Sequence, residues 1–158
     1  GLMPPQTVGG MFAGLKEPED SDDPAQRVYS KAKFMGTHCQ GQTEVDVNGI
    51  GPTIRAEHHG NIEYRRLSKE HGGIIDKELK KGLKERRLTP RECALIQTFP
   101  LDYEFVIPHE ENKQRYILSP SAAYKIIGNA VPPLLAYHIG KRIENLWDLY
   151  FEPDEVII

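Results

Sequence analysis

The order of apolar and polar positions divides this chain of 158 residues into a β-like first part and a helical last part. Residues 1–30 are rich in glycine, proline and acidic side chains, which predicts loop with little regular structure. Between residues 43 and 65 the apolar positions tend to alternate with period two, and Asn48–Gly49 is typical of a turn. We therefore predict short strands at 43–47, 51–56 and 61–65.

Helical patterns follow this region. An apolar residue at every fourth position within 74–87 predicts a short amphipathic helix with a basic outer face. Residues 89–92, Thr-Pro-Arg-Glu, predict a helix start in which the threonine caps, the proline takes the first position and the glutamate completes a capping box. Phe99–Pro100 ends that helix. Ser119–Pro120 predicts another start, and Gly128 is expected to end the helix that follows.

Pro132–Pro133 predicts the start of a longer helix with an apolar stripe, which must pack on another surface. The stripe consists of Leu135, Ile139, Ile143, Leu146 and Trp147.

Composition allows one ordinary hydrophobic core, because 39% of the residues are hydrophobic. The net charge of −3 gives no overall sign of nucleic-acid binding. The charge is uneven, however: residues 55–91 hold eleven Lys/Arg and six Asp/Glu, between two acidic ends. A basic middle is compatible with a DNA-facing surface and equally with a solvated, lysine-rich face.

The chain has two cysteines, Cys39 and Cys93, and neither belongs to a Cys-x-x-Cys pair. Isolated thiols predict a reducing compartment rather than a disulfide-rich secreted domain. No run of eighteen apolar residues predicts a membrane span, and the N-terminal pattern is not that of a signal peptide.

Two segments that occur in order carry a family resemblance. Leu88–Pro100 reads LTPRECALIQTFP, and Ile127–Pro133 reads IGNAVPP. Together they resemble the ninth and tenth sequence blocks of the DNA (cytosine-5) methyltransferases. The resemblance is sharp over residues 87–147 and looser over 15–66.

The resemblance implies an α+β fold in three parts. A small, irregular, β-rich target-recognition region would span residues 1–86, and an organising helix and loop would span 87–106. A return segment over 107–158 would hold the tenth block and a C-terminal helix. In the family this helical segment packs on a Rossmann-like catalytic domain, which is absent from this chain.

The same resemblance assigns roles to residues of both blocks. Asn129, Ala130 and Val131 are implied to line the pocket for S-adenosylmethionine. Gly128 would let the backbone turn and come close to a ligand. Structural roles are implied for Thr89, Arg91 and Glu92, which organise the helix of the ninth block.

Residues 51–61 also look like the variable recognition region of one branch of the family. Candidate DNA-binding side chains in and after this region are Arg55, His58, His59, Arg65 and Arg66. Such groups can reach phosphates or guanine edges in the major groove. Each of them taken alone is more typical of a phosphate contact or a solvated surface group than of a base reader.

The family's reaction needs residues that this chain does not have. The target cytosine is flipped out, a cysteine thiolate adds to C6, and C5 takes the methyl group from S-adenosylmethionine. The sequence contains no Pro-Cys pair, no glycine-rich cofactor loop after a strand, no Glu-Asn-Val segment and no Gln-Arg-x-Arg segment. We assign no catalytic residue here, and Cys93 is predicted to be a core residue of its helix.

We therefore expect the DNA-recognition and cofactor-pocket-completing portion of a methyltransferase, inactive alone. Its partners would be duplex DNA and an N-terminal catalytic half, either in the same polypeptide or as a separate subunit. The expected setting is the cytoplasm of a prokaryotic cell, with nucleoid DNA as substrate and a restriction–modification system as context.

Two other interpretations stay open. The chain could be a stand-alone DNA-binding module, or an unrelated enzyme that uses His58 or His59 as a general base. No metal site is expected, because the spacing of Glu57, His58, His59 and Glu63 matches neither a helical pair of histidines nor a zinc finger.

Overall fold

A computed structural model describes residues 5–32, 44–56, 62–65, 73–112 and 114–151. Over these residues the chain is a mixed α+β protein of short helices and two small antiparallel sheets. The helices are α1 (Val8–Met11), α2 (Pro24–Arg27), α3 (Asp76–Lys80), α4 (Pro90–Ile96), α5 (Pro120–Asn129), α6 (Pro133–Asn145) and α7 (Trp147–Phe151), and Pro18–Asp20 forms a 3-10 turn. The strands are β1 (Glu63–Arg65), β2 (Arg86–Arg87), β3 (Ile107–Pro108) and β4 (Tyr116–Leu118). Strand β1 pairs with β2, and β3 pairs with β4.

Residues 5–30 contain more helix than their composition predicts. Helix α1 is capped by Thr7, whose hydroxyl accepts from Gly10 N at 3.2 Å. Helix α2 is capped by Asp23, whose carboxylate accepts from Ala25 N at 2.8 Å. The loop prediction was wrong here because acids and prolines also supply caps and first helical positions for short helices.

The β prediction is confirmed in one of its three segments, by strand β1. The turn at Asn48–Gly49 is present, with Gly49 N donating to Asp46 O at 3.1 Å. The flanking described residues form no hairpin. Instead, Val47 O accepts from Gly9 N and Gly49 O accepts from Val8 N, at the start of α1. These carbonyl groups are therefore not available for pairing with a strand.

The helix predicted within 74–87 is shorter than expected. Helix α3 covers Asp76–Lys80, and Gly82 then adopts φ +85, a conformation that ends a helix. The chain continues into strand β2, so the end of the predicted helix was wrong.

The later helix starts are confirmed. The capping box is complete: Thr89 Oγ1 accepts from Glu92 N at 3.1 Å, and the Glu92 carboxylate accepts from Thr89 N at 2.9 Å. Ser119 caps α5 through Ala122 N at 3.3 Å. Helix α5 runs one residue past Gly128, and α6 begins at Pro133 as predicted.

One hydrophobic core joins the described segments. Its fully buried members include Val8, Leu88, Ala94, Ala123 and Ile127, which lie in or beside α1, α4 and α5. Neither α6 nor α7 contributes a buried residue. In the described part of the chain, no helix combines the length and the apolar character that crossing a membrane requires.

Candidate functional site

Helices α4 and α5 pack directly on each other and bring the two recognised segments together. Ala94 of α4 and both Ala123 and Ile127 of α5 are fully buried. The Tyr124 hydroxyl donates to Leu88 O at 2.7 Å in the buried contact. Because this contact is tight, the C-terminal end of α5 has a fixed position relative to α4.

The last residue of α5 and the two residues after it are the three residues predicted to bind the cofactor, and we call Asn129–Val131 the loop after α5. Asn129 is exposed, Ala130 is half-buried and Val131 is 62% exposed. Two side chains at the end of α4 reach this loop. Gln97 Nε2 donates to Ile127 O at 3.1 Å, and Thr98 Oγ1 accepts from Leu134 N at 3.1 Å.

Gly128 makes the close approach that its residue type predicts, but the surface that it approaches is protein backbone. A Cβ atom at this position would lie 2.8 Å from Ala56 Cα and closer still to Ala56 N and Arg55 C. No side chain fits there without moving the backbone. The glycine therefore joins α5 to the segment at 51–56 that was predicted to read DNA.

One apolar stripe along α6 and the start of α7 is largely exposed. We call it the C-terminal face; its members are Leu135 (52% exposed), Ile139 (51%), Ile143 (48%), Trp147 (53%) and the half-buried Leu146. These five residues are the predicted stripe. They are exposed or half-buried, and α6, which carries three of them, begins shortly after Val131 in the chain.

A buried polar cluster lies beneath α4. Arg86 donates to both carboxylate oxygens of Glu92, at 2.8 and 2.7 Å, and both side chains are 2% exposed. Gln26 links α2 to this pair: its amide nitrogen donates to Glu92 at 3.2 Å, and its amide oxygen accepts from the Thr89 hydroxyl at 2.7 Å. Glu92 thus serves the capping box and a buried ion pair at the same time.

The Arg86 guanidinium stays charged although it is buried. Burial alone would lower the pKa of Arg86, but the hydrogen bonds and the charge of Glu92 outweigh burial and raise that pKa above its ordinary value. The Arg86 guanidinium also lies 4.4 Å from the centre of the Tyr64 ring. Burial, together with nearby carboxylates, raises the pKa of Tyr64 to about 12.

Arg91 lies inside the structure. Its side chain is 4% exposed, pairs with the Asp23 carboxylate and donates to Tyr103 O at 2.8 Å. These contacts tie α4 to the end of the acidic N-terminal segment and to the loop after α4. That is a structural role.

Cys93 is a core residue, as its position in the helix predicts. It is 1% exposed, and burial raises the pKa of its thiol well above the ordinary value. A protonated, enclosed thiol is a poor nucleophile. Cys39 lies outside the described residues.

The prediction that Arg65 binds DNA needs correction. Its side chain is 1% exposed. The guanidinium donates to Glu78 at 2.6 Å and to Lys84 O at 3.0 Å, and it also pairs with Glu17. An arginine whose donors are held by internal partners is not available to a phosphate or a base.

Of the other predicted DNA-binding residues, Arg55 is described and exposed, whereas His58, His59 and Arg66 lie outside the described residues. The basic outer face predicted for 74–87 is present. It consists of four exposed lysines, Lys77, Lys80, Lys81 and Lys84. Lys84 pairs with Glu19 at 2.9 Å, so its charge is partly balanced.

Among the residues that the structure describes, no group of three His, Cys, Asp or Glu side chains could hold a metal ion. Glu57, His58 and His59 fall outside that range. Glu63 is buried and bonds to Arg87 at 3.2 Å.

Sequence reasoning missed two features of this site. Gln26 and Arg86 are the buried partners of Glu92. Gln97 and Thr98, which lie thirty or more residues before their partners in the sequence, hold the loop after α5. Neither feature has a local pattern in the sequence. The one usable signal was the capping box, which placed Glu92 at the right position.

The family model of C-5 cytosine-specific DNA methylase matches residues 17–145. That range covers most of the chain and includes both recognised segments, the polar cluster and all of α6.

Individual relatives match over shorter stretches. The type II methyltransferase M.AquIB of Picosynechococcus is 41% identical over 69 residues, which are 43% of this chain and 50% of that protein. M.FnuDI of Fusobacterium nucleatum is 47% identical over 60 residues, 38% of this chain and 14% of that protein. M.HgiDI of Herpetosiphon aurantiacus is 34% identical over 99 residues, 62% of this chain and 26% of that protein. The matched stretch of this chain thus spans half or less of the length of each of these relatives.

Proposed function

From the premise that this chain belongs to the C-5 cytosine-specific DNA methylase family, we propose that it is the recognition and pocket-completing portion of a DNA methyltransferase. The whole enzyme would transfer a methyl group from S-adenosylmethionine to C5 of cytosine in a specific duplex site, as part of a restriction–modification system. The reactive cysteine would come from an N-terminal catalytic half. The exposure of the C-terminal face carries this proposal, because a helix with an apolar stripe needs a covering surface.

Residues of the loop after α5 suit one wall of the S-adenosylmethionine pocket. Asn129 offers an exposed amide that can donate and accept, and Val131 and Leu134 offer exposed apolar surface beside it. The cofactor supplies the methyl group when it is bound. The side chains of this chain would contact and orient it, while the rest of the pocket belongs to the catalytic half.

The C-terminal face would dock on that same catalytic half. Contiguous exposed apolar surface of this kind marks an interaction site. Its continuity with the loop favours the protein that completes the pocket as the occupant. The 69 matched residues are 50% of M.AquIB, so that relative is about 140 residues long, close to the length of this chain. A short relative supports a separate subunit as one form of this arrangement.

DNA would bind the basic part of the chain. Arg55 and the lysines of α3 and its following turn are exposed, and His58, His59 and Arg66 stay candidates. Lysine and arginine contacts to phosphates release counterions, so binding by this surface should weaken steeply as salt rises. The candidates on 51–61 would be nearer to the bases, since the loop resembles a recognition region.

We expect methyl transfer only when this chain and its catalytic half are present together. The measurement is incorporation of labelled methyl groups from S-adenosylmethionine into duplex DNA, with each polypeptide alone and with the mixture. This chain alone should give no incorporation above a blank, because it lacks a Pro-Cys nucleophile. Incorporation by the chain alone, or none by the mixture, would contradict the proposal.

A charge on the C-terminal face should prevent docking without unfolding the chain. The variant Ile139→Glu places a carboxylate on a half-exposed apolar position, and we expect association with the catalytic half to weaken by about tenfold or more. Its own unfolding free energy should change by only about 0.5 kcal/mol, as for other surface substitutions. Association is measured by calorimetry, and unfolding by urea titration.

The matched control is Lys141→Glu, which introduces the same side chain two positions later, on the other side of α6. It removes a surface ion pair with Glu144 and should leave association nearly unchanged. Equal effects of the two variants would contradict docking through the C-terminal face.

The alternative is a stand-alone DNA-binding module, which the continuous core from Val8 to Ile127 favours. Light scattering separates the two. A free-standing module should remain monomeric and bind duplex DNA by itself. A chain with a vacant docking face should self-associate through its exposed apolar residues.

A further inference from the structure

Two adjacent side chains at the end of α4 hold both ends of the loop that joins α5 to α6. Gln97 Nε2 donates to Ile127 O on the near side of the loop, and Thr98 Oγ1 accepts from Leu134 N on the far side, each at 3.1 Å. Between these anchors lie Gly128 and the three residues proposed to contact the cofactor. The loop is therefore held from outside its own sequence.

The bond from Thr98 satisfies a backbone group that its helix leaves without a partner, because the first N–H groups of α6 have none within the helix. Ile127 O also accepts from Ala130 N at 3.3 Å, so Gln97 adds a second donor to that carbonyl. Helix α6 has Pro132 at its capping position and no side-chain cap of its own. The Thr98 hydroxyl provides the missing acceptor from thirty-six residues away.

The backbone of Thr98 ends α4: Thr98 N donates to Leu95 O and Phe99 N donates to Ala94 O, each at 2.9 Å. Thr98 has φ 64, the left-handed region that a β-branched residue rarely adopts, and it is the one non-glycine residue with positive φ in the described part of the chain. A glycine would adopt this conformation more easily. A threonine here adopts a less favourable backbone conformation than glycine would, and its hydroxyl oxygen accepts from Leu134 N.

We propose that Gln97 and Thr98 are positioning residues, which fix the Asn129–Val131 loop for contact with S-adenosylmethionine. The inference rests on the proposed function for its cofactor part, whereas the holding of the loop concerns this chain alone. Gly128 adds a third anchor, since it packs on the backbone of Arg55 and Ala56. These three contacts fix the position of the loop relative to α4 in the absence of a ligand.

The test compares Thr98→Val with Thr98→Ser. Valine keeps the branched shape and removes the acceptor, whereas serine keeps the hydroxyl. In the chain by itself, hydrogen exchange of the Leu134 amide should be roughly threefold to tenfold faster in Thr98→Val, the effect of losing one hydrogen bond. Thr98→Ser should exchange at about the original rate.

The second readout uses the active mixture with the catalytic half. We expect Thr98→Val to raise KM for S-adenosylmethionine by roughly threefold to tenfold, with kcat and KM for DNA nearly unchanged. Thr98→Ser should restore the original KM. Gln97→Met, which has similar length and no donor, should raise the same KM.

Thr98→Gly keeps the test decisive if the valine variant does not fold. Glycine accepts φ 64 without strain and still removes the hydroxyl, so it should loosen the loop in a well-folded chain. Unchanged exchange at Leu134 in every variant would overturn the holding role. Faster exchange with an unchanged KM for S-adenosylmethionine would overturn the cofactor role. Failure of the unsubstituted mixture to methylate DNA would overturn both the proposed function and the cofactor role. The exchange data come from the chain alone, so they would still show whether Thr98 holds the loop.

Discussion

Replacing Gly128 with alanine is expected to destabilise the chain by about 3 kcal/mol, near the upper end for overpacking. The added Cβ would come within 2.8 Å of the Ala56 Cα atom and closer to two further backbone atoms. Because those atoms are backbone, no side-chain rotation can relieve the contact, and α5 must separate from the segment at 51–56. Urea-induced unfolding monitored by circular dichroism measures the change.

Gly140→Ala is the control for this substitution. Gly140 lies in α6, and a Cβ there would meet no atom within 4 Å. Alanine has the higher helix propensity, so this variant should be more stable than the original by up to about 1 kcal/mol. A Gly128→Ala variant as stable as Gly140→Ala would show that the close approach at Gly128 is wrong.

Removing one partner of the buried ion pair is expected to have an equally large effect. Arg86→Met leaves the Glu92 carboxylate buried without its main counter-charge, and breaking such a pair costs about 3–5 kcal/mol. Gln26 and the Thr89 amide still donate to Glu92, which places the expected loss at about 3 kcal/mol. Thermal unfolding at constant pH provides the measurement.

Two comparisons test whether the loss of stability comes from leaving the buried Glu92 carboxylate without Arg86. Lys141→Met breaks a surface ion pair with Glu144 and should cost at most about 1 kcal/mol. Adding Glu92→Gln to Arg86→Met removes the buried charge but keeps a side chain that can complete a capping box, so part of the lost stability should return. If Arg86→Met cost no more than Lys141→Met, the buried pair would have no special role.

Local sequence was sufficient for the helices that bring the two recognised segments together. The starts at Thr89 and Ser119 and the start of α6 at Pro133 depend on caps and prolines within a few residues, and all three are present. The apolar stripe of α6 was also predictable, because helical spacing alone defines it. Its exposure agrees with the expectation that this stripe packs on a domain absent from this chain.

The wrong predictions for individual residues arise from contacts with residues that are distant in the sequence. Arg65 reads as a surface arginine in a basic region, and its burial depends on Glu17 and Glu78, which lie far from it in sequence. Gly128 was expected to bring the backbone close to a ligand, whereas in the structure it lies against the backbone of Arg55 and Ala56. The same limit hid the bonds from Gln97 and Thr98.

Helix α6 has thirteen residues and no buried side chain, which has a consequence for assembly. Helices of about 12–15 residues are marginal in water when tertiary packing does not support them. Fraying of α6 in the free chain would have to be reversed on docking, which lowers the net affinity and makes association depend strongly on temperature. The catalytic half that we propose would then act partly as a folding template for α6.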